Sequence, residues 1–194
     1  MKEALFLDRD GVVNRMVKYD YGWDSPQKLQ DVRLVKDIEK IISWANQNKI
    51  PVIEVSNQPG VAKGKMDQKT SDAIEAKIHN LLKENGSIFN KTYICPHHPE
   101  AVISELRVIC DCRKPKPGLL IKAAGELSID LKKSLILGDK ENDVLAGKSA
   151  GCKTIIFIHN EDEDDKVASA KKVRADYSIS EMPEALPILT EVFK

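Results

Sequence analysis

The chain has 194 residues, 42% of them hydrophobic, and its 30 Lys and Arg balance its 30 Asp and Glu to a formal net charge of zero. Such a length favours a single domain over residues 1–194, and the apolar content excludes a disordered chain. The charge balance lacks the basic excess of a protein that binds nucleic acid or an anionic membrane.

The first half of the chain alternates short apolar runs with apolar residues at helical spacing. In order, it predicts a strand at Ala4–Leu7, a helix from Leu34 to Ala45, a strand at Val52–Val55, a helix through Ile74–Leu82 that stops at Gly86, and a strand at Thr92–Ile94.

The second half continues the alternation after residues 95–116, which show no clean period. It predicts a helix opened by Pro117, a strand at Leu135–Leu137, a helix from Asn142 to Ala150 capped by Gly151, strands at Thr154–Ile158 and Tyr177–Ile179, and a last helical stripe from Met182 to Phe193 with Pro187 at a kink or in the early turn. The acidic run Glu161–Asp165 is interpreted as a solvated loop.

Alternation of this kind predicts an α/β, Rossmann-like fold: a mostly parallel sheet with helices on both faces. Ligands of such sheets bind beyond the carboxyl ends of the strands. The polar residues that follow the first, second and fourth strands should therefore meet at one edge: Asp8 and Asp10; Ser56, Asn57 and Gln58; Asp139, Lys140 and Asp143.

The acidic residues of this edge indicate a cation site. Asp8 and Asp10 lie two apart on an extended segment and point the same way, so without a cation they would repel and one would protonate. Asp139 adds a further oxygen ligand, and such ligands suit Mg²⁺, which also binds phosphate. The alternative is that Asp8 caps a turn and Asp10 precedes Gly11 in a tight loop.

A second metal site is indicated by clustered cysteine and histidine. Cys95, His97, Cys110 and Cys112 supply four soft ligands for a closed, structural Zn²⁺ in a loop spanning residues 95–112. That loop ends at Arg113 and Lys114, so zinc would position Lys114. The alternative is three buried thiols beside two loop histidines. In the zinc interpretation, the matching Cys-x-His and Cys-x-Cys pairs favour His97 as the ligand and leave His98 as the spare histidine. Cys152 is interpreted as a small core residue.

The compartment and the partners follow from what the sequence lacks. The N-terminus has no signal-peptide pattern and no apolar run is long enough to span a membrane, so we expect a cytoplasmic protein. We expect a monomer, with neither nucleic acid nor membrane as a partner.

Four segments in order carry a family resemblance: LFLDRDGVVN, VSNQPG, Arg113-Lys114-Pro115 and LGDKENDVLAG. Together they resemble the haloacid dehalogenase (HAD) superfamily of phosphatases over nearly the whole chain. The zinc-loop phrases CPHHPE and CDCRKPKPG are similar to a small branch without a cap domain. That branch contains heptose bisphosphate phosphatases, the closest in pattern, and histidinol-phosphate phosphatases.

The resemblance implies a role for each matched residue. Asp8 would be the nucleophile, Asp10 the general acid and base, and Ser56 and Lys114 the ligands of the phosphoryl oxygens. Mg²⁺ would be held by Asp8, the main-chain carbonyl of Asp10 and Asp139, with Asp143 orienting this cluster or capping a helix. The residues expected to contact substrate are Asn57, Gln58, Arg113 and Lys140.

The implied activity is Mg²⁺-dependent hydrolysis of the 7-phosphate of D-glycero-D-manno-heptose 1,7-bisphosphate through an aspartyl-phosphate. One alternative is a phosphatase of histidinol phosphate or another small phosphomonoester. Two alternatives lie outside that enzyme class. A phospho-accepting receiver module would not need the acid and base at Asp10. A zinc-dependent nucleic-acid module is disfavoured by the zero net charge and by the absence of interleaved aromatic residues.

Overall fold

The computed structural model describes residues 2–159 and 172–194, and the predicted loop at Glu161–Asp165 lies outside them. The strands of the described residues are β1 (Leu5–Leu7), β2 (Val17–Tyr19), β3 (Gly22–Asp24), β4 (Val52–Asn57), β5 (Lys91–Cys95), β6 (Leu135–Gly138), β7 (Lys153–Phe157) and β8 (Tyr177–Ile179). Their α-helices are α1 (Ile38–Gln47), α2 (Gln68–Glu84), α3 (Gly118–Leu127), α4 (Glu141–Ala150) and α5 (Ala185–Val192).

Six of these strands form one sheet in the order β5-β4-β1-β6-β7-β8, and every neighbouring pair in it is parallel. This confirms the predicted α/β architecture. The central strands β4, β1 and β6 are almost completely buried, because helices cover both of their faces. Within the described residues, no helix is long and apolar enough to cross a membrane.

Alternate residues of the central strands pack into two separate hydrophobic cores, one on each face of the sheet. Leu5 and Leu7 pack on one face with apolar residues of α1, α2 and α5. Phe6, between them in sequence, packs on the other face with residues of α3 and α4. Because successive strand side chains point to opposite faces, the sheet has an apolar surface on each side, and helices pack on both.

One local prediction was wrong, and one element of the structure was not predicted. The first helix begins at Ile38 and not at Leu34, because Leu34 bridges to Asn14 and Asp37 has a left-handed φ of 66°. The antiparallel hairpin of β2 and β3 was not predicted, since its strands are only three residues long and partly exposed. The sequence predicts Pro187 either at a kink or in the early turn of the last helix, and it lies in the first turn of α5.

The start of α3 packs unusually close to the loop that precedes it. Gly118 donates its main-chain N–H to the carbonyl oxygen of Asp111 at 3.1 Å. A Cβ atom at Gly118 would lie 2.2 Å from that same oxygen, so only glycine lets the helix begin there. Gly125, in the same helix, has no atom within 4 Å of such a Cβ.

This pair of glycines gives a matched test of the packing. Gly118→Ala should lower the free energy of unfolding by about 1–3 kcal/mol, because the added methyl overlaps main-chain atoms. Gly125→Ala should raise it by roughly 0.5–1 kcal/mol, because alanine favours the helix and meets open space. Urea unfolding of both variants measures these changes, and equal effects would contradict the packing described here.

Candidate active site and metal centres

The carboxyl edge of the sheet brings the predicted acidic and hydroxyl residues together. Asp8, Ser56 and Asp139 follow or end the adjacent strands β1, β4 and β6, and each is at most 5% exposed. Gly11 has a φ of +93°, and a Cβ on it would lie 2.2 Å from Oδ2 of Asp139. Glycine is therefore required at residue 11 both for its backbone conformation and for the space that Asp139 occupies.

Lys114 lies among the buried carboxylates, although it comes from the distant zinc-loop segment. Its Nζ is 2.8 Å from Oδ1 of Asp8 and 2.5 Å from Oδ1 of Asp143, and it donates to the carbonyl of Val55 at 2.7 Å. Burial disfavours its charge, but the carboxylates outweigh burial and raise the pKa of Lys114 to about 12. A permanent cation therefore lies against the predicted nucleophile.

Asn57 fixes the backbone of Lys114. Its Nδ2 donates to the carbonyl of Lys114 at 3.0 Å, and its Oδ1 accepts from the N–H of Lys114 at 3.0 Å. Because both ends of the side-chain amide are engaged in this way, Asn57 positions Lys114 in the structure. Its predicted contact with substrate stays a prediction.

The Asp10 carboxylate is surrounded by donors from four parts of the chain. It accepts hydrogen bonds from Arg9, from Asn14 at 2.9 Å, from Ser25 at 2.7 Å and from Gln58 at 2.5 Å. Burial raises its pKa, but the Arg9 guanidinium and the bonds from Ser25 and Gln58 outweigh burial and hold the pKa of Asp10 at about 2. Asp10 is therefore a carboxylate at neutral pH.

Three of these donors had no predicted role: Arg9, Asn14 and Ser25. Arg9 stands inside the Asp8-Arg9-Asp10 motif, which was a signal available in the sequence. Ser25 follows the hairpin that was not predicted, and it lies 15 positions from Asp10 in the chain. No sequence pattern connected it to the site.

Asp143 joins the acidic cluster and supports it. Ligand oxygens of Asp8, Asp139 and Asp143 lie within 4.8 Å of one another. Burial raises the pKa of Asp143 to about 6, although Lys114 works against this shift. Its Oδ2 accepts from the N–H of Lys140 at 3.1 Å, which caps the start of α4. A buried group of carboxylate oxygens fits Mg²⁺, and this group contains Asp143 together with Asp8 and Asp139, two of the predicted ligands.

The cysteine and histidine residues of the zinc loop form a compact tetrad. Sγ of Cys112 is 3.2 Å from Sγ of Cys95, 3.1 Å from Sγ of Cys110 and 3.4 Å from Nδ1 of His97. All of the cysteines are free of disulfide bonds. These spacings suit four ligands around one Zn²⁺. His98 instead accepts a hydrogen bond from the N–H of Glu100, as expected of the spare histidine.

Cys152 lies apart from this tetrad. It is buried in the core beside α3 and α4, and burial raises the pKa of its thiol to about 12. These surroundings are those expected of a small core residue.

Gln58 and Lys140, two of the predicted substrate-contacting residues, lie beside the acidic residues, whereas Arg113 contacts the tetrad. Gln58 joins Ser56 and Asp10 through its Nε2, and it accepts from Arg9 through its Oε1 at 2.6 Å. Lys140 is partly exposed, and although burial opposes its charge, the surrounding carboxylates raise its pKa. Arg113 donates to the carbonyl of His97 at 3.1 Å, which ties it to the tetrad.

A small cleft opens beside Asp10, between the hairpin and the segment that follows β4. Ser25, Gln58, Lys63 and Lys65 are among its lining residues. Lys65 already forms an ion pair with Asp24 across the cleft. The cleft thus offers polar and basic groups next to the predicted acid and base.

Comparisons with known proteins agree with the family resemblance of the four sequence segments. Residues 111–185 match a family model described as HAD-hydrolase-like. The chain is 34% identical over 157 residues to D-glycero-beta-D-manno-heptose-1,7-bisphosphate 7-phosphatase of Vibrio cholerae serotype O1, covering 81% of each chain. It is 35% identical over 160 residues to D-glycero-alpha-D-manno-heptose-1,7-bisphosphate 7-phosphatase of Photorhabdus laumondii, covering 80% of this chain and 82% of that one.

A solved structure is similar over nearly the full length. D,D-heptose 1,7-bisphosphate phosphatase from B. bronchiseptica, complexed with magnesium and phosphate, superimposes with a TM-score of 0.79 at 26% identity. The superposition covers 98% of this chain and 99% of that one.

The tetrad predicts the metal content of the purified protein. Elemental analysis should find about one zinc per chain, because four converging ligands bind Zn²⁺ tightly. Cys110→Ser and Cys112→Ser should lose that zinc, whereas Cys152→Ala, which removes a thiol outside the tetrad, should keep it. Wild-type protein that is folded and contains no zinc would contradict the assignment.

Proposed function

This chain belongs to the HAD-like hydrolases, in the group of the heptose-1,7-bisphosphate 7-phosphatases, and from that membership we propose that it hydrolyses the 7-phosphate of D-glycero-D-manno-heptose 1,7-bisphosphate. The observation that carries the proposal is the buried contact of 2.8 Å between Nζ of Lys114 and Oδ1 of Asp8. A cation against the Asp8 carboxylate supports the proposal, because it would attract a phosphoryl group to that carboxylate.

In the first step, an oxygen of Asp8 attacks phosphorus and the bond from phosphorus to the sugar oxygen breaks. The product is an aspartyl-phosphate, and the sugar oxygen leaves after taking a proton from Asp10. Lys114 and the hydroxyl of Ser56 donate hydrogen bonds to the phosphoryl oxygens, whose charge shifts during the transfer. Asp143 and Asn57 keep Lys114 in position for this task.

In the second step, water attacks the phosphorus of the aspartyl-phosphate and Asp10 accepts its proton. Inorganic phosphate leaves and Asp8 is regenerated. The low pKa of Asp10 keeps it ionised at neutral pH, which is the form that accepts a proton. Its earlier role as an acid requires that a proton reach Asp10 when substrate binds.

Two metal ions complete the proposed enzyme. Bound to Asp8, the main-chain carbonyl of Asp10 and Asp139, Mg²⁺ supplies positive charge that offsets the repulsion between carboxylate and phosphate. Cys95, His97, Cys110 and Cys112 would hold a structural Zn²⁺. Because those thiols must be reduced to bind it, we place the protein in the reducing cytoplasm.

Several residues support a sugar bisphosphate as the substrate. Lys140 lies near the carboxylates of Asp8, Asp10 and Asp139, and the cleft beside Asp10 adds Lys63, so a second phosphate would find cations. Arg113, which directly precedes Lys114 in the sequence, is proposed to add a further one. Gln58 reaches both Ser56 and Asp10 and is placed to contact the leaving sugar. We further propose that the protein is a monomer.

The nucleophile and the acid–base residue predict different defects. Asp8→Asn should abolish phosphate release, because no acyl phosphate forms. Asp10→Asn should also reduce turnover by at least about 100-fold, since general acid–base catalysis contributes that much or more. Phosphate release with Mg²⁺ measures both, and Asp111→Asn, at an exposed carboxylate, is the control. Normal turnover by Asp8→Asn would contradict the covalent route.

The amide of Asn57 predicts a defect in the chemical step. Asn57→Ala removes both hydrogen bonds to the backbone of Lys114. We expect kcat to fall by at least about tenfold, because a small displacement of a catalytic group lowers the rate of the chemical step by that much or more. KM should change less, because Lys114 retains its charge. Steady-state kinetics separates the two constants. A rise in KM alone would instead assign Asn57 to substrate binding.

Substrate preference is tested by Arg113, which lies between a zinc ligand and Lys114. Arg113→Ala should raise KM for the heptose bisphosphate far more than KM for a simple monophosphate, because only the bisphosphate offers a second phosphate group. Both anomers of the bisphosphate, fructose bisphosphate and histidinol phosphate form the panel. A higher kcat/KM for histidinol phosphate, or equal effects on both substrate types, would overturn the proposed substrate while leaving the phosphatase chemistry intact.

A further inference from the structure

A second group of potential metal ligands lies beneath α2, outside the residues assigned to the proposed reaction. Glu75 and His79 are one turn apart on α2, and Glu54 is on β4. Ligand atoms of these three residues lie within 4.8 Å of one another. The group is separate from the tetrad of the zinc loop and from the acidic edge that holds Asp8.

The side chains converge on one ring nitrogen. Nε2 of His79 is 2.9 Å from Oε1 of Glu75 and 3.6 Å from Oε2 of Glu54. It is also 3.4 Å from Oγ1 of Thr92. Glu54 and Thr92 are partners in the register of β4 and β5, so the sheet supplies two oxygen donors and the helix supplies an oxygen and a nitrogen.

Glu54 is the residue that this arrangement leaves unexplained. It is completely buried, yet neither of its carboxylate oxygens takes part in a hydrogen bond within the described residues. Burial raises the pKa of Glu54 to about 8, which reflects the cost of holding its charge there. A carboxylate in an apolar strand is expensive unless a cation compensates for it.

We propose that Glu54, Glu75 and His79, with Thr92 beside them, form a second transition-metal site for a divalent cation such as Zn²⁺, Mn²⁺ or Co²⁺. Two carboxylates balance the charge of such an ion. One imidazole favours transition metals over Mg²⁺ and Ca²⁺, which prefer oxygen alone. His79 is partly exposed, at 40%, and provides the route by which the ion enters.

The site is connected to the catalytic edge. Glu75 uses its Oε2 to accept from Arg9 at 2.8 Å, so its Oε1 faces the proposed ion. Arg9 in turn holds Asp10 and Gln58. An ion bound at Glu75 would thereby fix the guanidinium that orients Asp10.

The competing account is that a protonated His79 supplies the positive charge between the two carboxylates. In that case no metal binds and the cluster is an internal salt bridge. Metal binding by matched variants distinguishes the two accounts.

The experiment is a Co²⁺ titration of the full chain, with the tetrad first filled by Zn²⁺ and with excess Mg²⁺ present to occupy the acidic edge. Wild type and Glu84→Gln, which changes an exposed carboxylate at the end of α2, should bind one further Co²⁺. The visible spectrum should show d–d bands without thiolate charge transfer. His79→Asn and Glu54→Gln should each weaken this binding by at least about tenfold. Removing a residue that only hydrogen-bonds a metal ligand already lowers metal affinity by about tenfold or more, and removing a ligand itself should lower it at least as much.

Three results would overturn the proposal. One is wild-type protein that takes up no further Co²⁺. Another is unchanged binding in the variants. The third is a charge-transfer band, which would place the ion in the tetrad. His79 is partly exposed, so His79→Asn keeps the test valid if Glu54→Gln does not fold, and circular dichroism verifies each variant. The outcome is independent of the substrate proposed above.

Discussion

The buried positive charge of Lys114 is the interaction on which the site depends. Asp8 and Asp143 are nearly inaccessible to solvent, and two such carboxylates would repel each other and lose their charge without a cation. Nζ of Lys114 contacts both and also reaches the main chain of β4. In the proposed reaction, the same ammonium group that allows the carboxylates to be buried also binds the phosphoryl group.

The position of Lys114 is determined by contacts of the segment that carries it. The segment before it has little regular structure, and three constraints fix its end: the cysteine–histidine tetrad, the close packing of Gly118 on Asp111 and the amide of Asn57. Together they bring a residue 106 positions from Asp8 to within hydrogen-bond distance of it. The loop of residues 95–112 has no hydrophobic core of its own, and these contacts hold its end, at Lys114, in a fixed position.

Much of this could be predicted from the sequence, because the buried strands are apolar runs and the polar residues follow them directly. The parallel sheet, the meeting of Asp8, Ser56 and Asp139 at one edge, and the choice of His97 over His98 all followed from such local patterns. The bond from Ser25 to Asp10 and the role of Asn57 could not be predicted, since they arise from tertiary contacts with no local pattern. The same holds for Glu54, which lies in the run that predicts β4 and whose neighbours Glu75 and His79 come from α2.

The central claim is that Asp8 becomes covalently phosphorylated. The most direct measurement is to quench the Asp10→Asn variant with acid during reaction with the heptose bisphosphate and Mg²⁺, reduce it with borohydride and map the peptides by mass spectrometry. Because borohydride reduces an acyl phosphate to an alcohol, we predict that Asp8 is converted to homoserine. Unmodified Asp8 under conditions in which product forms, or conversion of Asp139 or Asp143 instead, would contradict the account.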